Sequence, residues 1–176
     1  MSNERQIYEI FFNLTRDPFS LEPELDFLYL SEKVGAFLLE LYEQIRLNSA
    51  FVVVFGEPGL GKTMLVHKIV ADLEKFDNFT HIVTVECPVS DWDVKEFLVT
   101  VLKKDGISAD EGKSLQAMVE AWLVKLIEGR ELKRVLLVDS AHNLRTKNAL
   151  ELLRTFNSLS IGNNKLINIV LFAEPE

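Results

Sequence analysis

Residues 51–63 constrain this chain more than any other stretch. A continuous apolar run, Phe51-Val-Val-Val-Phe55, opens into Gly56, Glu57, Pro58, Gly59, Leu60, Gly61, Lys62 and Thr63. A short β-branched run bounded by glycine reads as a strand buried on both faces. The next eight residues match G-x-x-x-x-G-K-[ST], whose glycines let the backbone curl so that several N–H groups face a phosphate. A helix from Lys62 to about Phe76 follows, adding the positive end of its dipole. Residues Gly56 to Met64 are therefore the candidate nucleotide cradle. Lys62 is placed to meet the β- and γ-phosphates as a point charge, and the Thr63 hydroxyl to complete a Mg²⁺ shell. Four fixed positions match by chance in such a chain with odds on the order of one in a hundred or less. The pattern implies a site for ATP or a close relative with magnesium.

The rest of the chain reads as alternating helices and strands. Ser31 and Glu32 start a helix running to about Leu47, with Val34, Phe37, Leu38, Leu41 and Ile45 on one stripe. His81–Glu86 is strand-like, and Asp91 caps a helix to about Lys104 that Asp105-Gly106 ends. Ser114–Ile127 is a helix closed by Gly129, Val135–Asp139 a second apolar strand, Lys147–Leu159 a helix and Leu166–Phe172 a third such strand. Such alternation predicts parallel βαβ units with helices on both faces, an α/β three-layer sandwich with a mostly parallel sheet. One nucleotide-binding domain over residues 1–176 is expected, with residues 1–31 an aromatic arm packed on it and a truncation after the fourth core strand. Asp139, ending an apolar strand, supplies the acid that a magnesium shell requires, or else caps the next turn. Lys62 and Asp139 are the candidate catalytic residues, Thr63 and Asp139 the candidate metal ligands.

Composition narrows the alternatives. A hydrophobic fraction of 48% with 26% charged residues describes a globular chain and excludes disorder. The net charge of −8 and the absence of a basic patch argue against nucleic acid. Cys87 is the single cysteine, so no internal disulfide forms, and it reads as a half-buried thiol at a strand end. The N-terminus lacks a signal-peptide pattern and no apolar run approaches the roughly 20 residues of a bilayer span, so a cytoplasmic location without membrane contact is expected. Met118, Trp122 and Leu126 share a helix face, as core residues or as a partner surface. The acid-rich stretch Asp105–Glu111 reads as a solvated loop.

These residues resemble the AAA+ ATPases of the general secretion pathway protein A type, the secretin-assembly ATPases. The resemblance runs through Asp17-Pro-Phe-Ser20, Phe27-Leu-Tyr-Leu-Ser31, Phe51–Thr63, Val135–Leu144, Leu150–Leu159 and Ile169–Glu176. It implies a parallel sheet in the order 5-1-4-3-2, of which four strands can be placed, with nucleotide bound at a subunit interface. Self-association through that interface, a secretion-machinery or other protein partner, and an N-terminal arm near the adenine (or with Phe19 and Tyr29 simply packed in the core) follow from it. Two positions depart from the pattern. Ser140 of Asp139-Ser-Ala-His-Asn-Leu144 stands where the family has the glutamate that polarises the attacking water, and a serine is no general base at neutral pH without a base of its own. His142 is a conceivable substitute or a plain turn residue. Glu174 takes the place of a glutamine, at the position of a γ-phosphate sensor. Arg154 is a candidate arginine finger or an exposed helix residue. Three readings stay open: a weak assembly ATPase, a nucleotide-dependent scaffold or switch that scarcely hydrolyses, and a DNA-transposition-type ATPase.

Overall fold

A computed structural model describes residues 7–15, 24–76, 80–87, 92–108, 112–144, 147–162 and 164–175. Four parallel strands form the central sheet: β1 (Phe51–Phe55), β2 (Thr80–Glu86), β3 (Lys133–Asp139) and, after a two-stranded hairpin of β4 (Ser160–Ile161) and β5 (Asn164–Lys165), β6 (Asn168–Ala173). Their order is β1-β6-β3-β2. This is the predicted 1-4-3-2 arrangement of the core strands. The hairpin was not predicted; Gly162 turns it with a positive φ of 63°.

The helices follow in chain order: α1 (Ile7–Phe11), α2 (Glu32–Arg46), α3 (Lys62–Phe76), α4 (Val94–Lys104), α5 (Leu115–Glu128) and α6 (Lys147–Ser158). Alternation along each strand sorts the side chains between two cores, because successive Cβ atoms point to opposite faces. Val135, Leu137, Val170 and Phe172 pack with Leu38, Leu41 and Ile45 of α2 and Val66, Ile69 and Leu73 of α3. Leu136, Val138, Ile169 and Leu171 pack with α4, α5 and α6, around Phe97, Trp122 and Phe156. The predicted Met118–Trp122–Leu126 face is core. On the α2–α3 side, the Tyr42 hydroxyl donates to Asp72 at 2.6 Å and Lys68 pairs with the same carboxylate at 2.6 Å. Burial, then the Asp72 hydrogen bond and charge, push the Tyr42 phenol far above its ordinary range.

Four expectations are corrected. The β1 run is not buried on both faces: β1 is an edge strand, and Phe51, Val53 and Phe55 on its α6-side face are exposed. An apolar run reports capacity for burial, not whether a neighbouring element covers it. The α4 helix starts at Val94 with Asp93 as N-cap, its N–H received by Glu96 Oε2 at 3.4 Å; Asp91 lies outside the described residues. Tyr29 is exposed rather than core, as are Phe11 and Phe12 of the arm, although Leu30 packs against the α2–α3 core; Phe19 lies outside the described residues. Finally, Asp105 is not solvated. Its carboxylate is 1% exposed and meets Arg134 Nη1 at 3.0 Å, Trp122 Nε1 at 2.9 Å and His81 Nε2 at 2.6 Å. Lys125 donates to its carbonyl. Arg134 also donates to the Lys125 carbonyl at 3.2 Å, and its guanidinium lies against Gly129, where a methyl group would collide with it.

Candidate nucleotide site

Parallel strands of one sheet bring their carboxyl ends to a common edge, which is where α/β folds place ligand sites. Here β1 ends at the Gly56–Thr63 loop, β3 at Asp139 and β6 beside Glu174. The loop leaves β1 under a bond from Gly56 N–H to the Ala173 carbonyl at 3.2 Å, which ties it to the end of β6. Gly59 and Gly61 have φ values of 79° and 82°, a region that side-chain-bearing residues rarely adopt. A Cβ at either would meet nothing within 4 Å, so backbone sign rather than crowding requires glycine there. The loop then enters α3 at Lys62, whose first N–H groups have no intrahelical partner and carry the positive end of the dipole. Glu57, Pro58, Gly59 and Leu60 are exposed at the rim, and Met64 is half-buried.

Lys62 and Thr63 face the neighbouring strands. The Thr63 hydroxyl donates to Asp139 Oδ2 at 2.7 Å, across 76 residues of sequence. Asp139 Oδ1 accepts the Ser140 N–H at 2.8 Å, and Ser140 has a left-handed φ of 54°. The Lys62 ammonium donates to the Gly56 carbonyl at 2.9 Å, the Glu57 carbonyl at 2.8 Å and Glu174 Oε1 at 3.0 Å. His142 lies in the turn Ala141–Asn143; its Nδ1 accepts the Glu174 N–H at 3.3 Å and its Nε2 stands 3.8 Å from Glu174 Oε2. Cys87, fully buried rather than half-buried, donates its N–H to the Asp139 carbonyl at 3.1 Å. Burial first, and the nearby Asp139 and Glu86 charges after it, push its thiol up to about 12.

The geometry thus gathers Lys62, Thr63, Asp139, His142 and Glu174. Arg154 is exposed on α6, and none of the contacts described among these site residues involves it. The Lys62–Glu174 pair was not foreseen; the only signal in the sequence was an acid where the resembled pattern has an amide. Among the described residues no group of three or more His, Cys, Asp or Glu side chains could hold a metal alone. One carboxylate and one hydroxyl are instead a hard oxygen pair that suits Mg²⁺, an ion that usually takes one or two protein ligands and completes its shell with phosphates and water.

A parallel sheet, a glycine-bearing loop entering a helix, and an acid ending the core strand one removed from that loop's own strand define a P-loop NTPase fold. The chain belongs to the AAA domain family, whose model matches residues 45–176. It is similar to General secretion pathway protein A of Aeromonas hydrophila, 28% identical over 174 residues, a match covering 97% of this chain and 30% of that protein. Its fold is that of Cdc6p from Pyrobaculum aerophilum, with a TM-score of 0.65, 18% identity and coverage of 90% of this chain and 42% of the other. The ADP form of Aeropyrum pernix ORC2 gives a TM-score of 0.62 at 16% identity, with coverage of 90% and 44%. The chain therefore spans less than half of each of these relatives. No helix among the described residues is long and apolar enough to cross a membrane.

Proposed function

We propose that this domain binds Mg-ATP through the Gly56–Met64 loop and hydrolyses it slowly, in the service of assembling a secretion-related envelope complex. The observation that carries the reading is the meeting of Thr63 and Asp139 at 2.7 Å beside Lys62. Loop N–H groups and the α3 dipole would hold the phosphates, and Lys62 would offset the charge of the distal ones. Thr63 and Asp139 would hold Mg²⁺, which supplies charge neutralisation on the phosphate oxygens when bound. The similarity to General secretion pathway protein A supports the secretion-related partner and a cytoplasmic working place; self-association through the nucleotide edge rests on the same footing. A net charge of −8 counts against the DNA-transposition alternative.

Slow turnover follows from position 140. A positioned acid–base group contributes about 10²–10⁴-fold, and Ser140 offers none. Its N–H is engaged by the carboxylate of Asp139, so residue 140 here shapes the turn. A hydrolysis-deficient switch is the second reading, favoured by that same turn.

Single-turnover hydrolysis with protein in excess over Mg-ATP separates the two. The natural chain should turn over slowly, Ser140→Glu about a hundredfold faster, and Lys62→Ala not at all. An inert natural chain with an active Ser140→Glu variant establishes the switch. Rapid turnover by the natural chain, abolished in Lys62→Ala, would place the catalytic base somewhere other than position 140.

A further inference from the structure

We propose that Glu174 is a built-in counter-anion that sets the preference of the site between nucleoside triphosphates and diphosphates; the inference rests on the nucleotide reading above. An ammonium group has three donors. Lys62 spends two of them on the Gly56 and Glu57 carbonyls and the third on Glu174 Oε1 at 3.0 Å. The carboxylate is thus the charged partner of the lysine that should meet the distal phosphates. Its other oxygen faces His142 Nε2 at 3.8 Å, and the His142 ring is held in turn by the Glu174 N–H. Glu174 is therefore seated between two elements, the end of β6 and the turn after β3, rather than swinging freely from a loop.

The consequence is electrostatic. With side-chain exposures of 11% for Lys62 and 30% for Glu174, the pair is partly shielded from water, where charge interactions are several times stronger than in bulk solvent. The β- and γ-phosphates of a bound triphosphate compete for the same lysine. A γ-phosphate displaces Glu174 from Lys62 and then lies near the released carboxylate, a like charge. A diphosphate is one anionic group shorter and leaves more of the ion pair in place. The penalty falls on the triphosphate. The neutral amide that the resembled pattern carries at this position would impose none, so residue 174 tunes which nucleotide occupies the resting site.

The test is calorimetric titration of Mg-ATP and Mg-ADP into the natural chain, Glu174→Gln and Glu174→Ala, with Lys62→Ala as control and thermal unfolding confirming that each is folded. Both Glu174 variants should bind Mg-ATP about tenfold more tightly, while Mg-ADP affinity changes by less than about threefold. Equal gains for the two nucleotides, no gain, or weaker Mg-ATP binding would each overturn the proposal. If the natural chain binds only Mg-ADP and Glu174→Gln acquires Mg-ATP binding, the counter-anion acts in its strongest form. If every folded variant, Lys62→Ala included, gives the same null titration, the nucleotide reading itself fails and takes this inference with it. Binding that is lost in Lys62→Ala but indifferent to residue 174 spares the nucleotide reading and removes the counter-anion.

Discussion

Asp105 and Asp139 are both nearly closed off from water, one at the amino ends of β2 and β3, the other at the carboxyl end of β3. Their surroundings differ in kind. Asp105 is met by the guanidinium of Arg134, the indole N–H of Trp122 and the imidazole of His81, with both carboxylate oxygens occupied. Asp139 is met by a hydroxyl and a backbone N–H, both neutral. A carboxylate answered by a cation is finished; one answered by neutral donors still carries an uncompensated charge and can receive a cation. Burial alone does not separate a structural acid from a chemical one, whereas the charge of its partners does.

The largest effect should come from breaking the finished pole. Asp105→Ala leaves Arg134 buried without its anion and is expected to cost about 3–5 kcal/mol, read from urea unfolding. A loss below about 1 kcal/mol would show that the Asp105 network is decoration and would collapse the contrast. Asp139→Asn should behave oppositely. It should shift stability by no more than about 1 kcal/mol, yet remove the Mg²⁺-dependence of ATP affinity in titrations with and without EDTA. Were Asp139→Asn to cost about 3–5 kcal/mol while the folded variant kept its Mg²⁺-dependent nucleotide binding, Asp139 would be the structural acid and the contrast would fail. The smallest effect uses Cys87 as a reporter. Burial is the main cause of its raised thiol and the Asp139 charge the second, so Asp139→Asn should move the pH midpoint of its thiolate absorbance in the ultraviolet down, but only part of the way toward the ordinary 9.0. Because the folded thiol holds its proton to higher pH than the unfolded one, its contribution to stability is complete below pH 9.0 and disappears as the pH climbs toward 12.

The loop at the carboxyl edge of the sheet was legible in the sequence because its geometry is local. Eight consecutive residues, Gly56–Thr63, encode a turn that needs positive φ at Gly59 and Gly61 and a helix that starts at Lys62. Asp139 was legible because it ends an apolar run, and the runs themselves gave the strands. The other pole was illegible because its partners are far apart: Asp105 reaches 24 residues back to His81, 17 forward to Trp122 and 29 to Arg134. Seen alone, Asp105-Gly106 has the composition of any exposed helix end. The uncovered face of β1 failed for a similar reason, since Phe51, Val53 and Phe55 look the same whether or not a helix lies over them. The Lys62–Glu174 pair combines both cases, a legible lysine with a partner 112 residues away. The β4–β5 hairpin was there to be read in Gly162-Asn163-Asn164, a run of turn-favouring residues.

Gly129 has an ordinary φ of −92°, so its backbone would accept a side chain; the Arg134 guanidinium lying against it would not. Positions 129 and 134 are therefore coupled by contact. Alanine at 129 would force the Arg134 guanidinium to shift, and that shift loosens its hold on Asp105. The base of this sheet thus holds a glycine for want of room beside an ion pair, not for any freedom of the backbone.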